Sequence, residues 1–225
     1  MARAAEVLNL GVVPYEEALD LQRSLAAGVL DGTRPDTIVL LEHPPVVTLG
    51  RRAEGDKELH IPAGADVEVI ETDRGGKSTY HAPGQLVCYP ILDLHRHGQD
   101  VKRYCRDLEE ALIRTLDAFD LTGERIDGLT GVWLTRPPRK IASIEIHISK
   151  WVTTHGYALN VDLDPAPFTQ WITACGIEDA AFTTMARELG RPVTVDEVKP
   201  AALQALAGVF DLELAETAHG LLAAR

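Results

Sequence analysis

The sequence predicts an α+β fold: one domain over residues 1–225, with a mixed, largely antiparallel β-sheet flanked by helices. Three observations predict it. Short β-branched runs recur, such as "DTIVLLEH" (36–43) and "PPVVTLG" (44–50). Long helical periodicity is confined to a few segments, clearest in "QDVKRYCRDLEEALIRTLDAF" (99–119). Strands and helices are mixed without the strict alternation of a parallel β/α sheet.

Taken in order, a strand is expected at about 6–10. A helix follows from Pro14, a residue suited to a first turn, to about Gly32. Segments 36–43 and 44–50 are strands, and the alternation of "ADVEVIET" (65–72) suggests another. "GQLVCYPILDL" (84–94) reads as a buried strand in which Pro90 marks a bulge or a frayed end. In the 99–119 helix, Val101, Tyr104, Cys105, Leu108 and Leu112 form the apolar face. "GVWLT" (131–135), "RKIASIEIHIS" (139–149) and "HGYALNVDL" (155–163) are three further strands. The C-terminal part reads as helical. Thr194 and Glu197 form a capping box, and Pro200 marks a kink or the helix's true start.

The composition excludes several classes. Hydrophobic residues are 45% and charged residues 25% of 225, an ordinary globular mix. A net charge of −12 argues against non-specific nucleic-acid binding. No apolar run approaches a membrane span, and "MARAAEVLNLGVV" reads as mature sequence. Three widely spaced cysteines, Cys88, Cys105 and Cys175, suggest neither a disulfide framework nor a zinc site. They fit a reducing, cytoplasmic setting. No metal cluster is legible. His95 and His97 read as solvated loop residues, and His81 and His155 as ligand-orienting or structural.

The stretch "DRGGKSTY" (73–80) resembles the end of a phosphate-binding loop. That motif needs a glycine five positions before Gly76, and Glu71 stands there. A nucleotide is therefore not expected. Among the cysteines, Cys105 on a helix face and Cys88 in a strand read as small buried hydrophobes. Cys175, before Gly176, remains as a candidate nucleophile or a structural residue. In "RKIASIEIHIS", Lys140 shares strand parity with Ala142, Ile144, Ile146 and Ile148, whereas Glu145, His147 and Ser149 take the other face. Lys140 is then a strand-end lysine reaching solvent, or a desolvated amine able to take a proton from a thiol.

Six segments together resemble the octanoyltransferases of lipoate biosynthesis, relatives of the biotin- and lipoate-protein ligases. They are "LLEHPPVVTLGRR" (40–52), "DRGGKSTYHAPGQLVCYPILDL" (73–94), "DGLTGVW" (127–133), "RKIASI" (139–144), "THGYALNVDLD" (154–164) and "ACGI" (174–177). The match is strongest over 36–190. The resemblance implies a biotin/lipoate-ligase-like catalytic domain that needs no bound cofactor. Such an enzyme takes an octanoyl group from the phosphopantetheine thioester of acyl carrier protein. It passes the group to a lysine of a lipoyl domain, in 2-oxoacid dehydrogenase acyltransferase subunits or the glycine cleavage H protein. The family's nucleophile falls on Cys175, and the lysine that activates it on Lys140. Its substrate-binding segments fall on Arg74, Gly75, Gly76, Lys77, Ser78, Thr79, Tyr80 and His81, on Ser143, Ile144 and Glu145, and on Gly156, Tyr157 and Ala158. The chain departs from the family's pattern at Glu145 and Ala82, where glycine is usual. By strand parity, Glu145 points away from Lys140's face.

An acidic carrier protein would dock on a basic patch, for which Arg51, Arg52, Arg74, Lys77, Arg136 and Arg139 are candidates. Three other readings compete: an ATP-dependent ligase of the same fold, a thiol hydrolase using Cys175 with His155 or His81, and a non-catalytic acyl- or carrier-binding domain.

Overall fold

The computed structural model describes residues 2–55, 59–172 and 181–216. Within them the chain forms β1 (Arg3–Val12), α1 (Tyr15–Asp31), β2 (Asp36–Glu42), β3 (Val46–Leu49), β4 (Glu68–Glu71), β5 (Ser78–His81), β6 (Gln85–Ile91) and α2 (Val101–Asp117). There follow β7 (Glu124–Ile126), β8 (Leu129–Thr135), β9 (Pro138–Ser149), β10 (Val152–Asn160), α3 (Pro167–Gln170), α4 (Met185–Leu189), α5 (Val195–Phe210) and β11 (Leu212–Glu216).

Eight strands form one sheet in the order β11-β1-β2-β6-β10-β9-β8-β7. It is parallel at β11-β1-β2 and antiparallel from β2 onward. The expected mixed, largely antiparallel sheet is therefore present. A second sheet, β4-β3-β5, stands apart from it. One face of the large sheet packs on α2 and α5, through Leu108, Leu112, Val198 and Leu206. The other meets α1, through Leu25 and Val29 against Val39, Leu41 and Val87.

Capping explains where the helices start and stop. Asp100 accepts from the Arg103 N–H at 3.0 Å and starts α2. Gly32 closes α1 in the left-handed region, at φ +77°. Thr194 caps α5 through the Glu197 N–H. The helix starts there, not at Pro200, which lies inside it.

Several expectations need correction. The 65–72 segment is a strand only over 68–71, at the edge of the small sheet, where its side chains are largely exposed. "STYH" (78–81) and 124–126 are strands too short to show a period of two. The C-terminal part ends in a strand, β11, which pairs parallel with β1. Val101 is exposed and Cys105 only half-buried, so the apolar face of α2 begins at Tyr104.

Pro90 lies inside β6 with no fraying. It pairs with Ile38 of β2 on one side. On the other, the β6–β10 ladder ends at Cys88–Tyr157. The Thr153 hydroxyl fills the gap, donating to the Pro90 carbonyl at 2.7 Å and accepting from the Leu92 N–H at 2.8 Å. The strands come so close that a β-carbon on Gly156 would lie 2.3 Å from the Cys88 carbonyl oxygen. Gly156→Ala must therefore displace backbone, at about 2 kcal/mol or more. A fall in Tm of about 4–8 °C is expected by calorimetry; an unchanged Tm would contradict this packing.

Candidate active site

The site lies on the α1 side of the large sheet, where the small sheet covers it. The pairs Ser143–Ala158 and Glu145–Gly156 on β9 and β10 present one face there. Their neighbours Ile144 and Tyr157 turn into the core on the α2 side.

Lys140 does not follow the parity read from the sequence. β8 and β9 pair Val132 with Ala142 and Trp133 with Lys140, so one step on β8 spans two residues on β9. Ile141 is the extra residue of a β-bulge, and it points with Ala142 into the main core. The bulge moves Lys140 to the face of Ser143 and Glu145. The expectation that Glu145 points away from Lys140's face is thus overturned.

Lys140 is buried, with Nζ 5.5 Å from the centroid of the Trp133 ring, a cation–π contact. Gly131 makes room for its stem: a β-carbon there would lie 2.9 Å from Lys140 Cε. The Lys140 N–H donates to the Ala181 carbonyl at 2.8 Å, and its own carbonyl accepts from the Thr183 N–H at 3.0 Å. Cys175 lies outside the described residues. The described chain resumes at Ala181, the residue whose carbonyl takes the Lys140 N–H.

Arg74 is fully buried, so it does not belong to a surface patch. Its Nη1 donates to the carbonyls of Gly75 (2.9 Å) and Lys77 (2.8 Å) and to Glu145 Oε1 (2.7 Å). Its Nη2 donates to the Thr48 carbonyl and to Thr48 Oγ1, each at 2.6 Å, and Nε donates to Thr48 Oγ1 at 3.1 Å. The loop 74–77 therefore turns carbonyls inward around its own guanidinium. A phosphate loop would turn N–H groups toward an anion. The Gly75 N–H is also used, donating to the Ile146 carbonyl at 2.9 Å. Burial raises the Glu145 carboxyl's pKa, and the charges of Arg74 and Lys140 oppose that shift.

Alternation in β5 sorts the rest of "STYH". Tyr80 packs with Val47, Leu49, Phe168 and Phe182, and Ser78, opposite Leu49, lies on the same face. Thr79 and His81 take the other face, toward Arg74. Lys77 sits beside the cleft, 3.8 Å from Glu54. Arg139 is tied to Glu188 by two bonds of 2.9 Å, and Arg51, Arg52 and Arg136 are exposed.

Two adjoining cavities result. An outer one of about 240 Å³ is lined by Arg52, Gly76, Lys77, Leu129, Lys140, Ser143 and Glu145, among others. An inner one of about 20 Å³ is lined by Tyr15, Arg74, His81, Tyr89, Ser143, Glu145, His155, Gly156 and Ala158, among others. The three segments singled out in the sequence thus converge, except for Ser78 and Tyr80, which face away, and Ile144 and Tyr157, whose side chains turn into the core.

Sequence reasoning singled out His81 and His155 but missed the other members of a ring of buried polar groups: Tyr15, Gln22, His43, Gln85, Tyr89 and Asn160. His43 Nδ1 lies 2.7 Å from the Val13 carbonyl, which only an N–H can satisfy, so Nε2 accepts from the Tyr89 hydroxyl at 2.7 Å. Burial holds the His43 pKa down to about 4. Burial, with His43 nearby, holds His81 well below its ordinary value. His81 Nδ1 donates to Gln85 Oε1 at 2.7 Å, and Gln85 Nε2 donates to Asn160 Oδ1 at 2.9 Å. Asn160 in turn donates to the Thr183 carbonyl at 3.1 Å. His155 adopts φ +57°, a left-handed conformation costly for a non-glycine residue. Its N–H donates to Gln22 Oε1 at 2.6 Å, and Nε2 donates to Asp73 at 3.0 Å. Burial lowers the pKa of His155 as well, and its hydrogen bond holds Asp73 at about 2. Among the described residues, no group of three or more His, Cys, Asp or Glu is placed to hold a metal ion. Nor, among them, is any helix long and apolar enough to cross a membrane.

This architecture is that of lipoate-ligase catalytic domains. A putative lipoate protein ligase from T. acidophilum, solved with bound lipoic acid, superposes with a TM-score of 0.73 at 16% identity, covering 95% of this chain and 89% of that one. The chain belongs to the family described as the lipoyl protein ligase A/B catalytic domain, whose model matches residues 14–207. Within it, the octanoyltransferase of Chloroflexus aurantiacus is 48% identical over 215 residues, spanning 94% of this chain and 96% of that protein. The octanoyltransferase of Mycobacterium tuberculosis is 48% identical over 209 residues, spanning 92% and 88%.

Two outcomes follow from the site's charges. Arg74→Met leaves the Glu145 carboxylate buried without its cation, which costs about 3–5 kcal/mol. A Tm lower by about 6–20 °C is expected, partly recovered in Arg74→Met/Glu145→Gln; equal Tm values for wild type and Arg74→Met would contradict the pairing. The folded-state pKa of His43 lies below its unfolded value of 6.5, so between the two the unfolded chain binds more protons. That contribution is fully present above about pH 6.5 and is lost as the pH falls to about 4, on the order of 3 kcal/mol. Denaturant unfolding between pH 7 and 4 should show stability falling with pH; a flat profile would contradict a neutral buried His43.

Proposed function

We propose that this protein transfers an octanoyl group from octanoyl-acyl carrier protein to a specific lysine of lipoyl domains, through an acyl-cysteine on Cys175, as the first step of endogenous protein lipoylation. The observation that carries the reading is the 48% identity to octanoyltransferases over nearly the whole chain. The placement of Lys140 supports it: buried, beside an open cavity, and hydrogen-bonded through its main chain to the segment that follows Cys175.

The chemistry needs no nucleotide, because passing from a thioester to an amide is downhill. Lys140 takes the proton from the Cys175 thiol, and the ammonium so formed stabilises the thiolate. The thiolate attacks the acyl thioester, and backbone N–H groups hold the oxyanion. The pantetheine sulfur leaves with the proton returned by Lys140. The acceptor amine then attacks the acyl-cysteine. An amide forms, the S–acyl bond breaks, and the amine's proton passes by way of Lys140 to Cys175. The phosphopantetheine arrives on the donor, and no bound cofactor is used. The acceptors are lipoyl domains of 2-oxoacid dehydrogenase acyltransferase subunits and the glycine cleavage H protein, and the setting is cytoplasmic. Arg51, Arg52 and Arg136 are the exposed cations suited to the acidic carrier; Arg139 already serves Glu188.

Intact mass after incubation with octanoyl-acyl carrier protein tests this reading. Wild type gains one octanoyl group that maps to Cys175 and is discharged by a lipoyl domain, without ATP. Cys175→Ala gains none and modifies no acceptor. An adduct on Cys175→Ala that still reaches the acceptor would overturn the assignment.

A further inference from the structure

We infer that the Arg74–Glu145 ion pair is the stop that limits acyl-chain length in this protein, making Glu145 a specificity-determining residue. The inference rests on the acyl-transfer reading above. The bulge at Ile141 puts Glu145 on the same face as Lys140, and both line the outer cavity. An acyl group in transfer beside Lys140 lies in that cavity. Glu145 and Ser143 also line the inner cavity, which continues inward between Arg74, His81 and His155. The Glu145 carboxylate, held at 2.7 Å by a guanidinium fully committed elsewhere, therefore stands between the two spaces.

Bulk and polarity both oppose a longer tail. The inner space is about 20 Å³, room for little more than a water-sized group. A methyl end pushed against the pair would strip it of polar surroundings and return no hydrogen bond. In an open apolar tunnel each added methylene would instead strengthen binding about fourfold. The stop turns that rise into a fall.

The test is adduct formation on Cys175 from acyl-carrier-protein thioesters of even chain length from hexanoyl to hexadecanoyl, read by intact mass at early times. Wild type should peak and then drop at least tenfold within two to four further methylenes. Glu145→Gly should move the peak to longer chains by at least two methylenes. Glu145→Gln, which fills the same volume and can still accept from Arg74, should keep the wild-type peak and guards against misfolding of the glycine variant. A wild-type profile that rises or stays level to hexadecanoyl overturns the inference, as does an unshifted peak in a folded Glu145→Gly. So does a Glu145→Gln peak moved to longer chains. No adduct at any length on wild type overturns the acyl-transfer reading itself, and the inference with it.

Discussion

The guanidinium of Arg74 holds the site together. It ties three things that are distant in sequence: Thr48 on the small sheet, the carbonyls of its own loop, and Glu145 on the large sheet. Without a cation there, the two sheets would bring together several carbonyl oxygens and a carboxylate with no donor between them, a costly arrangement in a buried place. With it, the small sheet is fixed over β9 and β10, and the space between becomes a cleft with one polar wall. Arginine suits the position because its planar fork reaches acceptors in several directions at once, which an ammonium on a flexible stem does not.

A second constraint is the bulge at Ile141. A single inserted residue decides which way Lys140 points, and with it whether the lysine joins the core or the cleft. The bulge's partner strand supplies Trp133 as a face for the ammonium and Gly131 as room for the stem. The same chain segment then makes two further main-chain bonds with residues 181–183, which brings that stretch onto the lysine. Lys140 and the chain at 181–183 are thus held in one local arrangement.

Much of this was legible in the sequence. The helix read over 99–119 followed from its period and forms over Val101–Asp117, and the mixed sheet followed from the short β-branched runs. The near-miss to a phosphate loop is read from the sequence at Glu71; in the structure the carbonyls of Gly75 and Lys77 turn toward the Arg74 guanidinium. The convergence of 74–81, 143–145 and 156–158 came from resemblance, and the cleft brings most of those residues together. What was not legible depends on contacts between distant strands. Parity counting failed at Lys140 because a bulge leaves no mark in a run as regular as "RKIASIEIHIS". The buried partners of Tyr15, His43, Tyr89 and His155 lie up to 140 residues apart, and no local pattern announces them. Cys175 lies outside the described residues, so its meeting with Lys140 rests on the proposed chemistry.

The pH dependence of Cys175 alkylation tests that meeting. In a Cys105→Ser background the only other thiol is Cys88, buried and pushed up to about 12, which stays silent. A thiolate is expected to form well below the ordinary thiol range of about 8.5, with the midpoint rising by about one unit or more in Lys140→Ala. Coincident alkylation profiles for the two proteins would contradict it.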